Sequence, residues 1–310
     1  MASGSAKATK KASAKAAPKK AAKKAPARGQ ASPPAQSGGI IRTGIGGWNY
    51  EPWRETFYPQ GLREKDELAW ASQRLGAIEV NGTFYRLQTP QTYTRWHAET
   101  PDGFVFALKA PRFVTQRRVL AEAGDSIGKF LASGIAELHG KLGPLLWQLP
   151  PTHKFDADDC RRFLDLLPQR LGSRALRHVF EARHESFLVP EFIALLRERG
   201  IAAVYADSDE YPSFADLTAG FVYARLMRSE AKSPAGYSAK ALDGWAARAR
   251  QWAQGGAPDD LQTVADSALS ATPAPRDVFL FFISGAKERN PAAAMALRDR
   301  LHTSGSADRP

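Results

Sequence analysis

In this 310-residue chain the charged and amide side chains recur at the ends of short apolar runs, where they could share a reaction. Glu79 with Asn81 closes one run, Lys109 a second and Gln148 a third. Glu181, Arg183 and His184 follow a fourth, Asp207 a fifth and Arg225 a sixth. Glu79 and Glu181 would serve as general base or acid, with His184 as the other proton carrier and Asn81 and Gln148 orienting a substrate. Lys109, Arg183 and Arg225 would grip phosphate or carboxylate, Arg as a planar fork and Lys as a point charge. Trp48 and Tyr50, after a further run, would stand at the rim of such a site, where a nucleic-acid strand or an extruded base could be accepted. Aldose-ketose isomerisation or phosphoester cleavage fits this set, and neither is selected. The same charges also suit a network that only neutralises itself, because charged side chains are rarely buried unpaired.

Other chemistries are poorly served. Two-histidine metal spacing is absent and His184, Glu181, Glu79 and Asp207 make a thin ligand set, so no metal site is expected. Gly44, Gly46 and Gly47 fail as a dinucleotide loop because Asn49 stands where the third glycine belongs, and turn geometry explains them better. Ser133 and Ser186 lack the context of an esterase elbow. The single cysteine, Cys160, excludes an intrachain disulfide and fits a reducing, cytoplasmic setting. It sits beside Asp158 and Asp159, which would raise its pKa and leave it inert. No motif names a cofactor.

The elements that must position these residues are legible as an alternation. Strand-like runs occur at about Ile41–Ile45, Ala77–Asn81, Phe104–Lys109, Pro144–Gln148, His178–Glu181, Ala202–Ala206, Phe221–Leu226 and Val278–Ile283. Helical patterns lie between or after them, at Asp66–Leu75, Gln91–Glu99, Ile127–His139, Asp158–Leu167, Glu191–Arg199, Ala239–Ala253 and Ala292–Leu301. Eight such units predict an α/β fold, a TIM-type (β/α)8 barrel forming one domain over residues 40–310, with a doubly wound open sheet as the alternative. Residues 255–276 read as a polar loop or insertion before the eighth strand. In a barrel the carboxyl ends of the strands carry the site. Residues two apart on a strand share a face, so Glu79 with Asn81, and Glu181 with Arg183, point into one mouth.

Several of these stretches also carry a resemblance. Gly46 to Tyr50 with Trp53, Phe57, Tyr58 and Pro59, then EVNGTFY at 79–85, Phe104–Lys109, LGPLLWQLPP at 142–151 and EARH at 181–184 resemble, in order, the motifs of the YecE-like family, domain of unknown function 72. The resemblance spans nearly the whole chain from Ile41 and implies a TIM-type barrel with a strand-end pocket, without supplying a reaction. It implies pocket positions for Trp48, Tyr50, Glu79, Asn81, Tyr85, Lys109, Gln148, Glu181, Arg183, His184 and Arg225. The chain departs from the family pattern where Gln116 follows Thr115 in place of a histidine. Met227 and Arg228 replace a His-Gly pair, and Ile283 and Ser284 replace two asparagines. Those changes put any proton-transfer or metal role of the altered positions in doubt.

The charge has a separate origin. Of the 43 basic residues, eight lysines and Arg28 lie in residues 1–39 with no acid among them, leaving 34 basic against 32 acidic residues in the rest. This Ala/Lys/Pro-rich segment has no large apolar side chain between Met1 and Ile40, so it is expected to be a disordered tail. Lys10, Lys11, Lys19, Lys20, Lys23 and Lys24 could tether DNA or RNA without reading sequence, by releasing counterions. A solvated, solubilising arm is the alternative. The longest strongly apolar run, Val278–Ile283, falls far short of the roughly 20 residues of a membrane helix, so no membrane partner is expected. Three readings follow: a binder or enzyme for a small anionic ligand, a nucleic-acid-associated protein tethered by its tail, and a catalytically silent scaffold. The sequence sets no oligomeric state.

Overall fold

Among the residues that the computed structural model describes, 38–54, 56–265 and 274–303, eight parallel strands close into a barrel. They are β1 (Ile41–Gly46), β2 (Ala77–Val80), β3 (Val105–Lys109), β4 (Leu142–Gln148), β7 (His178–Glu181), β8 (Ala202–Asp207), β9 (Phe221–Leu226) and β10 (Asp277–Phe282). Two short strands, β5 (Arg170–Leu171) and β6 (Arg174–Ala175), make an antiparallel hairpin apart from the barrel. Each barrel strand pairs with the next along the chain, and β10 returns to β1 with Ile41 beside Val278.

The outer layer contains α1 (Glu67–Arg74), α3 (Pro90–Ala98), α5 (Gly124–Leu131), α6 (Ala157–Asp165), α7 (Pro190–Arg199), α8 (Ala239–Ala253) and α9 (Asn290–Thr303). Two single turns, α2 (Gly82–Tyr85) and α4 (Arg112–Thr115), follow β2 and β3. Local chemistry sets several boundaries. Thr89, Asp156 and Ser238 cap α3, α6 and α8 by accepting from backbone N–H groups, and Pro90 and Pro190 occupy the first helical positions of α3 and α7. Gly200, at φ +60°, closes α7.

The strands read as apolar runs because both faces are buried. Inside the barrel pack Val105, Ala107, Leu146, Val179, Val204, Tyr223, Phe279 and Phe281. Ile45, Ile78, Phe106, Trp147, Phe180, Leu280 and Phe282 belong to the separate, larger core between sheet and helices. The amino-terminal end is plugged by Asp277, which accepts from Arg42 at 3.4 Å and Arg177 at 3.0 Å, with both guanidinium groups over the Phe279 ring. Gly47 is in a turn at φ +75°, as expected. Gly44 has a different reason: a Cβ there would lie 2.2 Å from the Ala77 carbonyl oxygen, so its absence lets β1 and β2 close together.

One expectation needs correction. The pattern over Ile127–His139 is not one helix: α5 stops at Leu131, Gly134 turns at φ +104°, and a 3-10 stretch runs from Ile135 to Lys141. The connection between β8 and β9 holds no helix. In the polar stretch 255–276, the part up to residue 265 is irregular chain in which Val264 and Ala265 donate to Asp216, and Gln262 accepts from Ala215 N. Residues 266–273 lie outside the described residues. So do residues 1–37, with Lys10, Lys11, Lys19, Lys20, Lys23 and Lys24. Among the described residues no helix is long and apolar enough to cross a membrane.

Candidate functional site

At the carboxyl ends of the strands, period-two alternation aims Glu79, Lys109, Gln148, Glu181 and Arg225 toward the barrel axis. Arg225 is the centre of the cluster. Its Nε and Nη2 donate to the two oxygens of Glu79, each at 3.1 Å, and its Nη1 donates to both oxygens of Glu181 at 2.9 Å. Tyr223, two residues back on the same face of β9, donates its hydroxyl to Glu79 Oε2 at 2.7 Å. Gln148 Nε2 donates to Glu181 Oε2 at 2.7 Å, across the β4–β7 register that sets the two side by side. Arg183 Nε completes the set with a 2.9 Å bond to Glu181 Oε1.

Burial separates a floor from a rim. Glu79, Glu181, Tyr223 and Arg225 are at most 2% exposed, whereas Lys109, Asn81 and Arg183 keep part of their surface open. Burial alone would raise the Glu181 carboxyl, but Arg225 and Arg183 beside it and the Gln148 bond outweigh that and hold it at about 2. For Arg225, burial is likewise overcome by Glu181 and Glu79, which hold the guanidinium charged. Lys109 goes the other way, pushed down to about 8 by burial and by Arg225, against the opposing pull of Glu79 and Glu181.

Two aromatic rings place the rim cations. Thr83, on the short turn after β2, donates to the Lys109 carbonyl at 2.7 Å and so ties α2 to the end of β3. The adjacent Phe84 ring lies 4.0 Å from Lys109 Nζ. Arg183 stacks over Tyr211, 4.1 Å to the ring centroid, on the connection after β8. The Asn81 amide overlies Gly46, where an added Cβ would meet its Nδ2 at 3.0 Å and Ile283 at 3.3 Å.

The remaining sequence candidates are placed elsewhere. His184 caps the turn Glu185–Phe187, its Nδ1 accepting from Ser186 N at 3.1 Å. Trp48 anchors a loop, edge-on to Trp96 at 5.1 Å. Tyr50 packs on Trp53 and beneath Lys287, and Tyr85 is 68% exposed. Of the positions that depart from the resemblance, Gln116 is exposed, Met227 and Ile283 are buried, and Ser284 is an exposed residue at φ +63°. A cleft of about 720 Å³ between the loops after β3 and β4 is lined by Gln116, Arg118, Lys154, Arg162 and several aspartates, without the cluster residues. No three His, Cys, Asp or Glu side chains among the described residues form a metal-holding group.

With this geometry in hand, comparison with known proteins places the chain. The family described as protein of unknown function DUF72 matches residues 42–310. The chain belongs to the DUF72 family. The UPF0759 protein YecE of Escherichia coli strain K12 is 27% identical over 175 residues, covering 54% of this chain and 60% of that protein. The UPF0759 protein YunF of Bacillus subtilis strain 168 is 26% identical over 162 residues, 49% of this chain and 54% of that protein. The matches thus span less than two thirds of these relatives' lengths. A DUF72 family protein from Thermotoga maritima superposes with TM-score 0.64 at 18% identity, covering 84% of this chain and 99% of that one. One from Enterococcus faecalis gives 0.61 at 16% identity, covering 86% and 99%. At these identities the likeness is one of fold, and it agrees with the barrel.

Sequence reasoning about this DUF72 chain missed Tyr223, Tyr211 and Phe84. Tyr223 was within reach, since it shares the inward face with Arg225 two residues on. The other two were not, because they reach the rim from irregular or single-turn segments whose course no periodicity gives.

Proposed function

We propose that the barrel mouth binds a small anionic molecule bearing phosphate or carboxylate. The observation that carries this reading is the division of charge: two carboxylates lie on the floor, both engaged by Arg225, while the cations Lys109 and Arg183 remain at the partly open rim. The cluster therefore has three cations against two anions, and an incoming anion would balance it. In this reading Glu181 holds cations in place rather than moving a proton, because a carboxyl held at about 2 is a weak base, and Glu79 is committed to Arg225 and Tyr223 by its hydrogen bonds. Gln148 orients Glu181, and Asn81 offers an amide to the ligand. An isomerase or phosphoester hydrolase remains compatible with such a grip.

Titration of the protein with inorganic phosphate tests the reading. Affinity is expected to fall as pH rises through about 8, where the Lys109 ammonium loses its charge. Arg183→Ala should weaken binding about tenfold or more, the loss of a charge-assisted hydrogen bond being worth roughly 1.5–3 kcal/mol. Absence of binding by phosphate and by simple carboxylates at pH 6.5 would overturn it. The nine positive charges of residues 1–39 favour a second reading, in which that segment tethers the protein to nucleic acid.

A further inference from the structure

Lys109 differs from the other cations of the mouth in what it touches. Arg225 and Arg183 are bound to carboxylates, whereas the described contact of Lys109 Nζ is with the Phe84 ring. Among the described residues no carboxylate or carbonyl oxygen lies within bonding distance of it. Four charged groups face it from the surrounding elements: Glu79 on β2, Glu181 and Arg183 at the end of β7, and Arg225 on β9. Both carboxylates are committed to arginines, so neither closes onto the ammonium. Thr83 fixes the backbone beneath it, and β3 aims the side chain inward with Ala107 and Val105. This is a positioned primary amine without a hydrogen-bond or ion-pair partner among the described residues, at the open end of a barrel strand.

Resting on the anion-binding reading above, we infer that Lys109 captures carbonyl compounds, forming an imine with an aldehyde or ketone whose carboxylate or phosphate lies on Arg183. The lone pair of the neutral amine attacks the carbonyl carbon, the carbonyl π pair moves onto oxygen, and one nitrogen proton passes to that oxygen through solvent to give a carbinolamine. The lone pair so restored to nitrogen closes the C=N bond as the hydroxyl departs, and the second nitrogen proton leaves with it as water to give the imine. One water is released and no oxidant or reductant is consumed. With the ammonium brought down to about 8, roughly a tenth of the lysine is free amine at pH 7. The neighbouring arginine can hold the anionic end of the substrate while the carbonyl end reacts.

Incubation of the full-length protein with glyoxylate and cyanoborohydride, which reduces an imine to a stable secondary amine, tests this by peptide mass mapping. Lys109 is expected to be labelled about tenfold faster than the exposed Lys65. Its labelling should rise with pH and level off above about 8. Glycolaldehyde, which has no anionic group, should not show the preference. Equal rates at Lys109 and Lys65 would overturn the inference, and an equal preference with glycolaldehyde would overturn the anionic substrate class. Phosphate titration at pH 6.5 on the same preparation separates the two readings: binding without labelling leaves the anion site and removes the imine, whereas neither result removes both.

Discussion

Arg225 and Arg183 both pair with Glu181, yet they should behave very differently when removed. Arg225 is 2% exposed and bridges the two floor carboxylates, so Arg225→Met would leave both facing each other in the interior. Such stranding is expected to cost on the order of 3–5 kcal/mol. Arg183 is part-exposed, and its loss leaves Glu181 still paired with Arg225, so Arg183→Ala should cost about 1 kcal/mol. Urea denaturation of the two variants checks the order, and equal losses would remove the distinction between floor and rim. Acid should act on the same group. The Glu181 carboxyl lies below its ordinary value in the folded protein, so the stability it contributes is complete above about pH 4.3 and is lost as pH falls toward about 2. The Glu181→Gln variant should show a shallower decline over that window.

At the scale of elements, the strands were legible because closed parallel sheets need apolar residues on both faces, and inward charges at their ends stand out against that background. Glu79, Lys109, Gln148, Glu181 and Arg225 were found in that way. The break after α5 was not, because Ile127, Phe130, Ile135 and Leu138 are all buried and keep a helix-like spacing across it. The backbone decides there: Gly134 has φ +104°, and a Cβ on it would lie 2.6 Å from the Pro90 Cα at the start of α3. Gly134→Ala is therefore expected to destabilise the protein by about 1–3 kcal/mol through backbone strain and the clash with α3. Thermal unfolding checks this, and a neutral substitution would mean that α5 can run on as the spacing suggests.

For the whole molecule, the question is whether charge and fold are separable. The basic excess is concentrated in residues 1–39, while the remainder of the chain is close to neutral. The barrel's own attachment begins at the end of that segment, where Gly39 N donates to the Ala253 carbonyl at 2.9 Å and Ile40 N to Asp277 at 3.0 Å. A cut before Gly38 therefore spares those bonds and removes a sequence with no large apolar side chain beyond Met1. The truncated protein is expected to unfold at the same temperature as the full chain, to bind phosphate equally well, and to lose most of any affinity for DNA or RNA. For the full chain that affinity should fall steeply with salt and be indifferent to sequence, since each neutralised phosphate releases counterions. A salt series on both forms reads the slope directly. Undiminished nucleic-acid affinity after truncation would move the contact to the barrel, where the cations of the mouth and the cleft beside it would become the surfaces to mutate.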